Sequence, residues 1–315
     1  MKKEYYFESG SSALIFALLK EKKKTQVVFL PEYICKSLVD RLNAIKIKIN
    51  YYKIKKNLST DWVDLKKKIK TFKNKQIYIL YINYFGKINN RKKFIKIKSN
   101  CQNNNIVKLI EDNSHGHYLS YKNNKTNKID ILFSSPKKIF PQLYSGGILY
   151  KKRFSDETEY NDLENKKIKI FGLLKLLIKN YFIRFKFYFI LRKFIKTNQG
   201  LNTEKIDQKI KKIDIYSFKK FKKINLKKEL KIKLEKSEKI NKKLNQFKHK
   251  KYFDFNENLP WYYVCFTQNL INKKKIQKFC ETEKISFFNW PELPEKNKNK
   301  RTKYIYDRII CIPLK

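Results

Sequence analysis

Two stretches of this chain hold the residue types that most often do chemistry in proteins. The first, "KLIEDNSHGHY", sets Glu111, Asp112, His115 and His117 at the end of an apolar run. The second, "FSSPKKIFPQLYSGGILY", sets two adjacent lysines after a pair of serines and before a Gly-Gly turn. A lysine amine can attack a carbonyl group, and histidine and carboxylate side chains can hold or move protons beside it.

A third stretch, "ESGSSAL", offers a place for a phosphate group. Gly10 permits a close backbone approach, and Ser11 and Ser12 add hydroxyls to the N–H groups of a helix start. A lysine can form a Schiff base with an aldehyde cofactor, and a buried carboxylate such as Asp112 can keep a pyridine nitrogen protonated. Each stretch alone has a plain alternative, because the serines could simply cap a helix and the chain has 75 Lys and Arg residues.

Apolar runs alternate with helical patterns over the first 150 residues. Runs such as "QVVFLP", "QIYILYINYFG", "IVKLIED" and "KIDILFSS" predict buried strands, and the segments between them have helical spacing, one of them starting near Ser59 or Thr60. This alternation predicts an α/β domain with a mainly parallel sheet between helices. Polar ligands bind at the carboxyl ends of such strands, where Asp112 and Ser134 are expected to lie.

The remainder of the chain predicts a smaller α+β domain, in which "WYYVCF" and "RIICIPL" are strands and "NKKKIQKFCETEK" is a helix. We place the large domain at residues 1–215 and the small one at 216–315. In the apolar segment 168–196, lysines recur along one helical face. This pattern predicts a helix that packs on the domain or on a second subunit, or one that lies on an anionic membrane surface.

The formal net charge of the chain is +47. A polyanion partner would suit it, but Lys, Ile and Asn are abundant in every segment, as AT-rich coding produces, and no nucleic-acid recognition motif is present. We therefore expect no specific nucleic-acid partner. The five cysteines have no CxxC spacing, which argues against a disulfide framework or a metal site and favours a reducing cytoplasm.

The order and spacing of these stretches resemble the DegT/DnrJ-type sugar aminotransferases, which use pyridoxal 5'-phosphate (PLP) on the aspartate aminotransferase fold, fold type I. "FESGSSALIFALL" is similar to that family's "SGTSAL" helix, and "LIEDNSHGHYLSY" to its "VIEDAAQAHGA". "DILFSSPKKIFPQLYSGGILYKK" is similar to the stretch that carries its Schiff-base lysine and "GEGGAVVT". "VVFLPEYICKSLVDRL", "ILYINYFGKINNRKKF", "SFFNWPELP" and "IICIPL" resemble further family stretches in the same order. The resemblance covers nearly the whole chain and is weakest over 155–215.

The resemblance implies a role for each residue of the site. Lys138 would be the Schiff-base lysine, since the Gly-Gly pair follows it at the family's distance, with Lys137 as the alternative. Asp112 would pair with the pyridinium nitrogen, and His115 stands near the ring oxygen, where the family has glutamine. The phosphate would be held by serine hydroxyls, from Ser11, Ser12 and Ser134 (or Ser135).

Departures from the family pattern limit what the resemblance implies. The aromatic residue that stacks on the cofactor falls at Cys35 in this chain, with Tyr33 nearby as a substitute. Glutamine is replaced by His115, and the chain is short for the family. A catalytically altered or inactive member of the fold, which binds a partner or a membrane, is therefore the alternative function. Glu111 and His117 are expected to be structural, the former as a charge at a strand edge.

The function implied by the resemblance is amino transfer to a keto sugar carried by a nucleotide, for the synthesis of surface polysaccharide. The amino donor would be a glutamate-like amino acid. Because fold type I sites are built across a subunit interface, we expect a homodimer in the cytoplasm.

Overall fold

The computed structural model of the chain describes most of its 315 residues. The described residues are 3–21, 26–72, 75–101, 106–118, 128–151, 157–168, 209–247, 249–251 and 258–314, with residues 171, 172, 174, 177 and 178. Most of the predicted amphipathic segment 168–196 lies outside them. No helix within the described ranges has the length and apolar character needed to cross a bilayer.

The described strands, in chain order, are β1 (Lys3–Phe7), β2 (Gln26–Pro31), β3 (Lys48–Tyr52), β4 (Gln76–Ile82), β5 (Ile106–Asn113), β6 (Gly116–Tyr118), β7 (Ile131–Ser134), β8 (Gly147–Lys151), β9 (His249–Lys251), β10 (Asn258–Pro260), β11 (Tyr262–Thr267) and β12 (Ile309–Pro313). Seven of them form one sheet in the order β1-β8-β7-β5-β4-β2-β3. Its pairs from β3 to β7 are parallel, whereas β8 pairs antiparallel with both β7 and β1.

The described α-helices are α1 (Gly10–Lys20), α2 (Lys36–Ala44), α3 (Trp62–Lys70), α4 (Arg91–Asn100), α5 (Pro136–Ile139), α6 (Thr158–Asn161), α7 (Ile215–Lys222), α8 (Leu226–Leu244), α9 (Leu270–Thr282) and α10 (Lys300–Tyr306). The first four connect successive strands of the large sheet. The strands β2 and β4 are buried along their whole length. This burial explains why both strands read as continuous apolar runs and not as alternating ones.

Several elements differ from the sequence prediction, among them β1 and α3, and the predicted strand over residues 285–290 is only an isolated bridge between Phe288 and Cys311. The strand β1 was missed, because "KEYYF" is short and only its last three residues are buried. The helix α3 begins at Trp62 and is capped by the side chain of Asp61, not by Ser59 or Thr60. Thr60 instead forms an isolated β-bridge with Ile54.

Two smaller sheets involve the C-terminal part of the chain. The strands β9, β11 and β12 form an antiparallel sheet, and β6 pairs with β10, which joins the end of the large sheet to the later strands. An apolar cluster lies between this sheet and the helices α8 and α9, formed by Leu244, Tyr263, Cys265, Ile276, Cys280, Ile310, Ile312 and Leu314. The alternate side chains of β11, Tyr262 and Val264, belong to the main core with the large sheet. The boundary at residue 215 stays a prediction.

Glu111 lies in the middle of the large sheet and is fully buried, so the expectation of a charge at a strand edge was wrong. Its carboxylate accepts hydrogen bonds from Arg91 at 2.5 and 2.9 Å, from the Tyr81 hydroxyl at 2.7 Å and from the Asn83 amide at 2.8 Å. A buried carboxylate is tolerated only when its oxygens are satisfied in this way. Glu111 is thus a structural residue that ties α4 to β4 and β5.

Replacing Glu111 with glutamine should destabilise the protein by about 3 kcal/mol, because the guanidinium of Arg91 would lose its charged partner in a largely buried position. Urea denaturation followed by far-ultraviolet circular dichroism measures this change. The matched control is Glu283→Gln, which breaks the exposed pair of Lys243 and Glu283 and should cost under about 1 kcal/mol. Equal losses for the two variants would contradict the structural role of Glu111.

Candidate active site

The predicted site residues come together at the carboxyl end of the large sheet. Strands β5 and β7 are parallel neighbours, and Asn113 pairs with Ser134 at their ends. The chain leaves β5 through Asp112 and Ser114, and the backbone N–H of Ser114 donates to the Asp112 carboxylate at 2.8 Å. Asp112 and Ser134 are both buried, with exposed fractions of 6% and 0%. The sheet therefore places a carboxylate and a hydroxyl on adjacent strands.

The N-terminus of α1 closes on these strand ends. A Cβ atom on Gly10 would lie 3.0 Å from the Ser134 carbonyl oxygen and 3.2 Å from both the Ser114 Oγ and the Ser135 Cβ. The Ser9 side chain caps the helix by accepting from the Ser12 N–H at 3.1 Å. The close approach explains the glycine at position 10, and it brings the positive end of the helix to the strand ends.

Arg41 on α2 reaches the same helix end, which the sequence did not predict. Its Nη1 donates to the hydroxyl oxygens of Ser9, Ser11 and Ser12 at 2.8–3.0 Å. Its Nη2 lies 3.6 Å from the carboxylate of Glu8, which also accepts from the Ser12 hydroxyl. The three hydroxyls are thus held by one guanidinium at the start of a helix, which is a favourable environment for an anion.

Lys138 lies on the short helix α5, directly after β7. Its Nζ sits over the ring of Trp261 at 5.2 Å from the centroid. The Lys138 ammonium also acts on both Asp112 and His115, since it shifts the pKa of each. Lys137 is placed differently, with its Nζ 6.0 Å from the ring of Tyr144. Of the two lysines, Lys138 is the one that shares an electrostatic environment with Asp112 and His115.

The buried carboxyl group of Asp112 has a raised pKa. Burial is the main cause, and the Lys138 charge and the hydrogen bonds from Ser114 act against it. A buried carboxylate whose charge is costly gains most from a cationic partner nearby. Asp112 is therefore suited to pair with a protonated ring nitrogen.

His115 is enclosed by aromatic rings and is kept neutral. Its ring stacks on Phe85 at 5.4 Å and meets Trp290 edge-on at 4.3 Å. Burial, and then the Lys138 charge, lower the pKa of His115 well below its usual value. The backbone N–H of Phe85 donates to His115 Nδ1 at 3.1 Å, so the neutral ring carries its proton on Nε2.

The other histidine of this stretch, His117, packs against the aromatic rings of Phe140 and Phe221. Its ring meets Phe221 edge-on at 5.6 Å, and its exposed fraction is 4%. On strand β6 it pairs with Leu259 of β10. Its surroundings are those of a packed core residue.

Neither Cys35 nor Tyr33 is presented as a stacking aromatic. Cys35 is the N-cap residue of α2. Tyr33 is fully buried, its hydroxyl donates to the backbone carbonyl of Trp290, and the two rings meet edge-on at 5.8 Å. Tyr33 therefore supports Trp290, which in turn contacts His115. That Tyr33 substitutes for the family's stacking residue stays a prediction.

Comparison with known proteins identifies the fold. No protein-family model and no curated protein sequence matches the chain, but solved structures do. A DegT DnrJ EryC1 StrS aminotransferase from Brucella abortus matches with a TM-score of 0.62 at 13% identity, over 98% of this chain and 80% of that one. Helicobacter pylori PseC, an aminotransferase involved in pseudoaminic acid biosynthesis, matches at 0.60 and 13%, over 99% and 81%. Escherichia coli GDP-4-keto-6-deoxy-D-mannose-3-dehydratase with bound hydrated PLP matches at 0.60 and 14%, over 99% and 83%.

The chain has the fold of the PLP-dependent sugar aminotransferases. The predicted fold class, an α/β fold of type I with a mainly parallel seven-stranded sheet, is confirmed. Of the three proteins named here, two are aminotransferases and one is a dehydratase. The fold alone therefore does not decide which reaction the protein catalyses, so the reaction has to be inferred from the side chains of the site.

The residues at the strand ends fit PLP. The Ser134 Oγ is buried and has no hydrogen-bond partner within the described part of the chain, as expected of a hydroxyl that awaits a ligand. Beside it stand the helix end at Gly10 and the buried Asp112. The helix end and the Ser134 hydroxyl thus suit the phosphate of PLP, Asp112 suits its ring nitrogen, and Lys138 suits its aldehyde.

Sequence reasoning missed the aromatic and basic residues that complete this arrangement. Arg41 gave no signal, because it is one cation in a chain rich in cations and is brought in from α2. Trp261 and Trp290 come from the C-terminal part, and their sequence positions do not show that they meet Lys138 and His115. The chain has 3 Trp residues, and that scarcity was the available hint.

His115 should make the protein sensitive to acid. Because its folded pKa is lowered, the unfolded chain takes up a proton near pH 6.5 while the folded chain does not, so stability falls as the pH drops below that value. The loss should approach about 1.4 kcal/mol per pH unit. Urea midpoints of the wild type and His115→Gln, measured from about pH 7 to about pH 5, should diverge, the variant losing less. Parallel curves would show that His115 titrates as it does in the unfolded chain.

Proposed function

We propose that the protein is a PLP-dependent aminotransferase that acts on a keto sugar linked to a nucleotide. The observation that supports this most directly is the shared electrostatic environment of Lys138, Asp112 and His115 at the strand ends. Amino transfer with PLP needs an amine for the cofactor's aldehyde, an acid for its ring nitrogen and a hydrogen-bond donor for its ring oxygen, and these three residues can supply them. The aminotransferases among the structural neighbours support the same reaction class.

The phosphate of the cofactor would be held by the α1 N-terminus and the hydroxyls of Ser11, Ser12 and Ser134. Arg41 already donates to the first two hydroxyls, and it adds a positive charge beside the phosphate. Asp112 would hold the ring nitrogen in its protonated form. When bound, PLP supplies an electron sink for the bond-breaking step at the substrate's reacting carbon.

Lys138 carries the proton transfers. Its amine is the group that would hold the aldehyde of PLP, and the same amine would move a proton to and from the substrate's reacting carbon. The ring of Trp261, 5.2 Å from its Nζ, stabilises the protonated amine between these transfers. The Lys138 N–H donates to the Ser135 carbonyl at 2.9 Å and the Phe140 N–H donates to the Pro136 carbonyl at 2.8 Å, and these bonds form the helical turn that carries Lys138.

His115 fulfils the task of the family's glutamine with a different donor. Its Nδ1 accepts from the Phe85 N–H, so its Nε2–H is a neutral donor and would be the group offered to the ring oxygen of the cofactor. A neutral donor leaves the charge of that oxygen in place. The lowered pKa of His115 keeps it in this form across the physiological range.

The substrate class rests on the resemblance and on the neighbours. One of them acts on a GDP-linked keto sugar, and another belongs to the biosynthesis of an amino sugar acid. A nucleotide diphosphate suits a chain with a net charge of +47. A glutamate-like amino donor, a homodimer in the cytoplasm and a place in surface polysaccharide synthesis complete the proposal.

The lysine assignment has a direct test. Protein incubated with PLP and then reduced with borohydride should carry a phosphopyridoxyl group on Lys138, found by peptide mass mapping. Lys138→Ala should lose this modification and the absorbance above 400 nm typical of the enzyme-bound cofactor. Lys137→Ala is the matched control and should retain both. Modification spread evenly over the many lysines, or confined to Lys137, would overturn the proposal.

A separate observation supports a second property, which is contact with a membrane surface. In the described residues of the segment after Lys166, Phe171, Leu174, Leu177 and Ile178 are helical and expose 46–79% of their surface. Residues 166–196 contain ten Lys or Arg and no Asp or Glu. An exposed apolar face in an acid-free basic stretch supports peripheral contact with an anionic membrane, whether or not the protein is an enzyme.

Vesicles that contain phosphatidylserine should pull the protein into the pellet, and vesicles of phosphatidylcholine alone should not. Replacing Phe171, Leu174 and Leu177 with serine should reduce binding at least about tenfold, because each removes buried apolar area at the interface. The control replaces Val63 on α3 and Ile271 on α9, which are at least as exposed as Leu174 and Leu177. If both variants bind alike, the contact is a general effect of charge, and if the serine variant instead becomes monomeric, the face is a subunit interface.

A further inference from the structure

Lys233 is a buried lysine that the proposed chemistry does not use. It lies in the middle of α8, and its exposed fraction is 2%. Its Nζ donates to the backbone carbonyl of Leu314 at 3.0 Å and to that of Ile139 at 3.5 Å. Burial lowers its pKa to about 8, and the Glu229 carboxylate opposes this while Lys236 adds to it. An ammonium in such a position is costly, so its retention calls for a specific role.

The two carbonyls belong to segments that meet at the candidate site. Ile139 is the last residue of α5 and follows Lys138 directly. Leu314 lies after β12, and its N–H donates to the Trp261 carbonyl at 3.3 Å. The Trp261 N–H in turn donates to the His115 carbonyl at 3.0 Å. A chain of hydrogen bonds therefore runs from α5 through Lys233 and Leu314 to Trp261 and His115.

This series of hydrogen bonds joins helix α5, which carries Lys138, to the segment that carries Trp261. One end carries the peptide that follows Lys138, and the other carries the indole ring over which the Lys138 Nζ lies. Between them the apolar side chains of Ile139, Phe140, Leu143 and Leu259 form a separate small cluster. At the start of this four-residue helix the Lys137 N–H donates to the Gly146 carbonyl at 3.4 Å, and the Lys233 bridge holds its end at Ile139.

We propose that Lys233 is a positioning residue, which holds α5 against the Trp261 segment so that the Lys138 amine stays over the indole ring. The expected consequence of this positioning, a change in the reactivity of Lys138, rests on the proposed function. The bridge itself exists in the protein without cofactor. Removing it should leave the fold intact but let α5 move, and a shift of about 1 Å at a reacting group can cost up to about a hundredfold in rate.

The variants are Lys233→Met, which keeps the length and apolar stem, and Lys233→Arg, which keeps donors. The matched control is Lys273→Met. Lys273 is another buried lysine, its Nζ donates to the Tyr306 carbonyl at 3.0 Å, and burial lowers its pKa to about 8 as well. It lies on α9 beside α10, so it reports the general effect of removing a buried ammonium.

The first readout is amide hydrogen exchange in the protein without cofactor. Lys233→Met should speed exchange in the peptide that contains Lys138 and Phe140 by at least about tenfold, Lys233→Arg should restore most of the protection, and Lys273→Met should leave this peptide unchanged. Unchanged exchange in Lys233→Met would overturn the proposal. An equal effect from Lys273→Met would also overturn it, since the change would then be a general loss of stability.

The second readout is the rate at which PLP and borohydride label Lys138. Lys233→Met should lower this labelling rate about tenfold while the affinity for PLP stays unchanged. A fall in the affinity for PLP with no fall in the labelling rate would count against the positioning role. If the wild type is not labelled at Lys138, the proposed function fails, while the exchange experiment still decides the role of Lys233. If the wild type is labelled and Lys233→Met labels equally fast, the positioning role fails and the proposed function stands.

Discussion

The contact between the start of α1 and the ends of β5 and β7 is the constraint on which the rest of the site depends. It requires the helix backbone to come within van der Waals distance of Ser134 and Ser114, and at position 10 a glycine allows this because it has no Cβ atom. Gly147 is needed for the same contact from the other side, because a Cβ there would lie 2.0 Å from the Ser9 carbonyl oxygen. The two glycines let a helix dipole, two serine hydroxyls and a buried acid occupy one small volume.

The two neighbouring acids at the end of β5 show how the fold separates structure from chemistry. Glu111 receives four hydrogen bonds from Arg91, Tyr81 and Asn83, so its bonding capacity is used within the fold. Asp112 points to the other side of the strand, as the alternation of a strand requires, and is bonded by Ser114. A saturated carboxylate can only stabilise, whereas the less saturated one keeps capacity for a ligand. The sequence shows that the two acids are adjacent, but it does not show which of them is saturated with hydrogen bonds.

Much of the fold was readable from the sequence, because strand and helix patterns in the first 150 residues are local. The buried runs of β2, β4 and β5 and the spacing of α1 and α2 gave the parallel sheet. The edge strand β1 could not be read, since its pairing with β8 is a long-range contact. Glu111 was misjudged for a related reason: burial of a charge depends on Arg91, which α4 brings from twenty residues away.

The candidate site was readable only where it follows the chain. Asp112, Ser134 and Lys138 lie at or just after strand ends, which is where the rule for parallel sheets places ligands. Arg41 reaches the same place from α2, Trp261 from the position between β10 and β11, and Trp290 from the loop before Pro291. Their arrival depends on packing between distant segments. A single sequence carries no local signal of that packing, so these residues could be found only in the structure.

The C-terminal part of the chain is therefore not an independent addition to the large sheet. Trp261 lies over Lys138, Trp290 contacts His115, and Lys233 bonds the carbonyl that follows Lys138. Each of these contacts joins a segment beyond residue 215 to the strand ends of the large sheet. At 13–14% identity to the matched structures, few side chains are shared with them. In this chain the site at the strand ends is completed by aromatic and basic residues from distant segments, namely Arg41, Trp261 and Trp290.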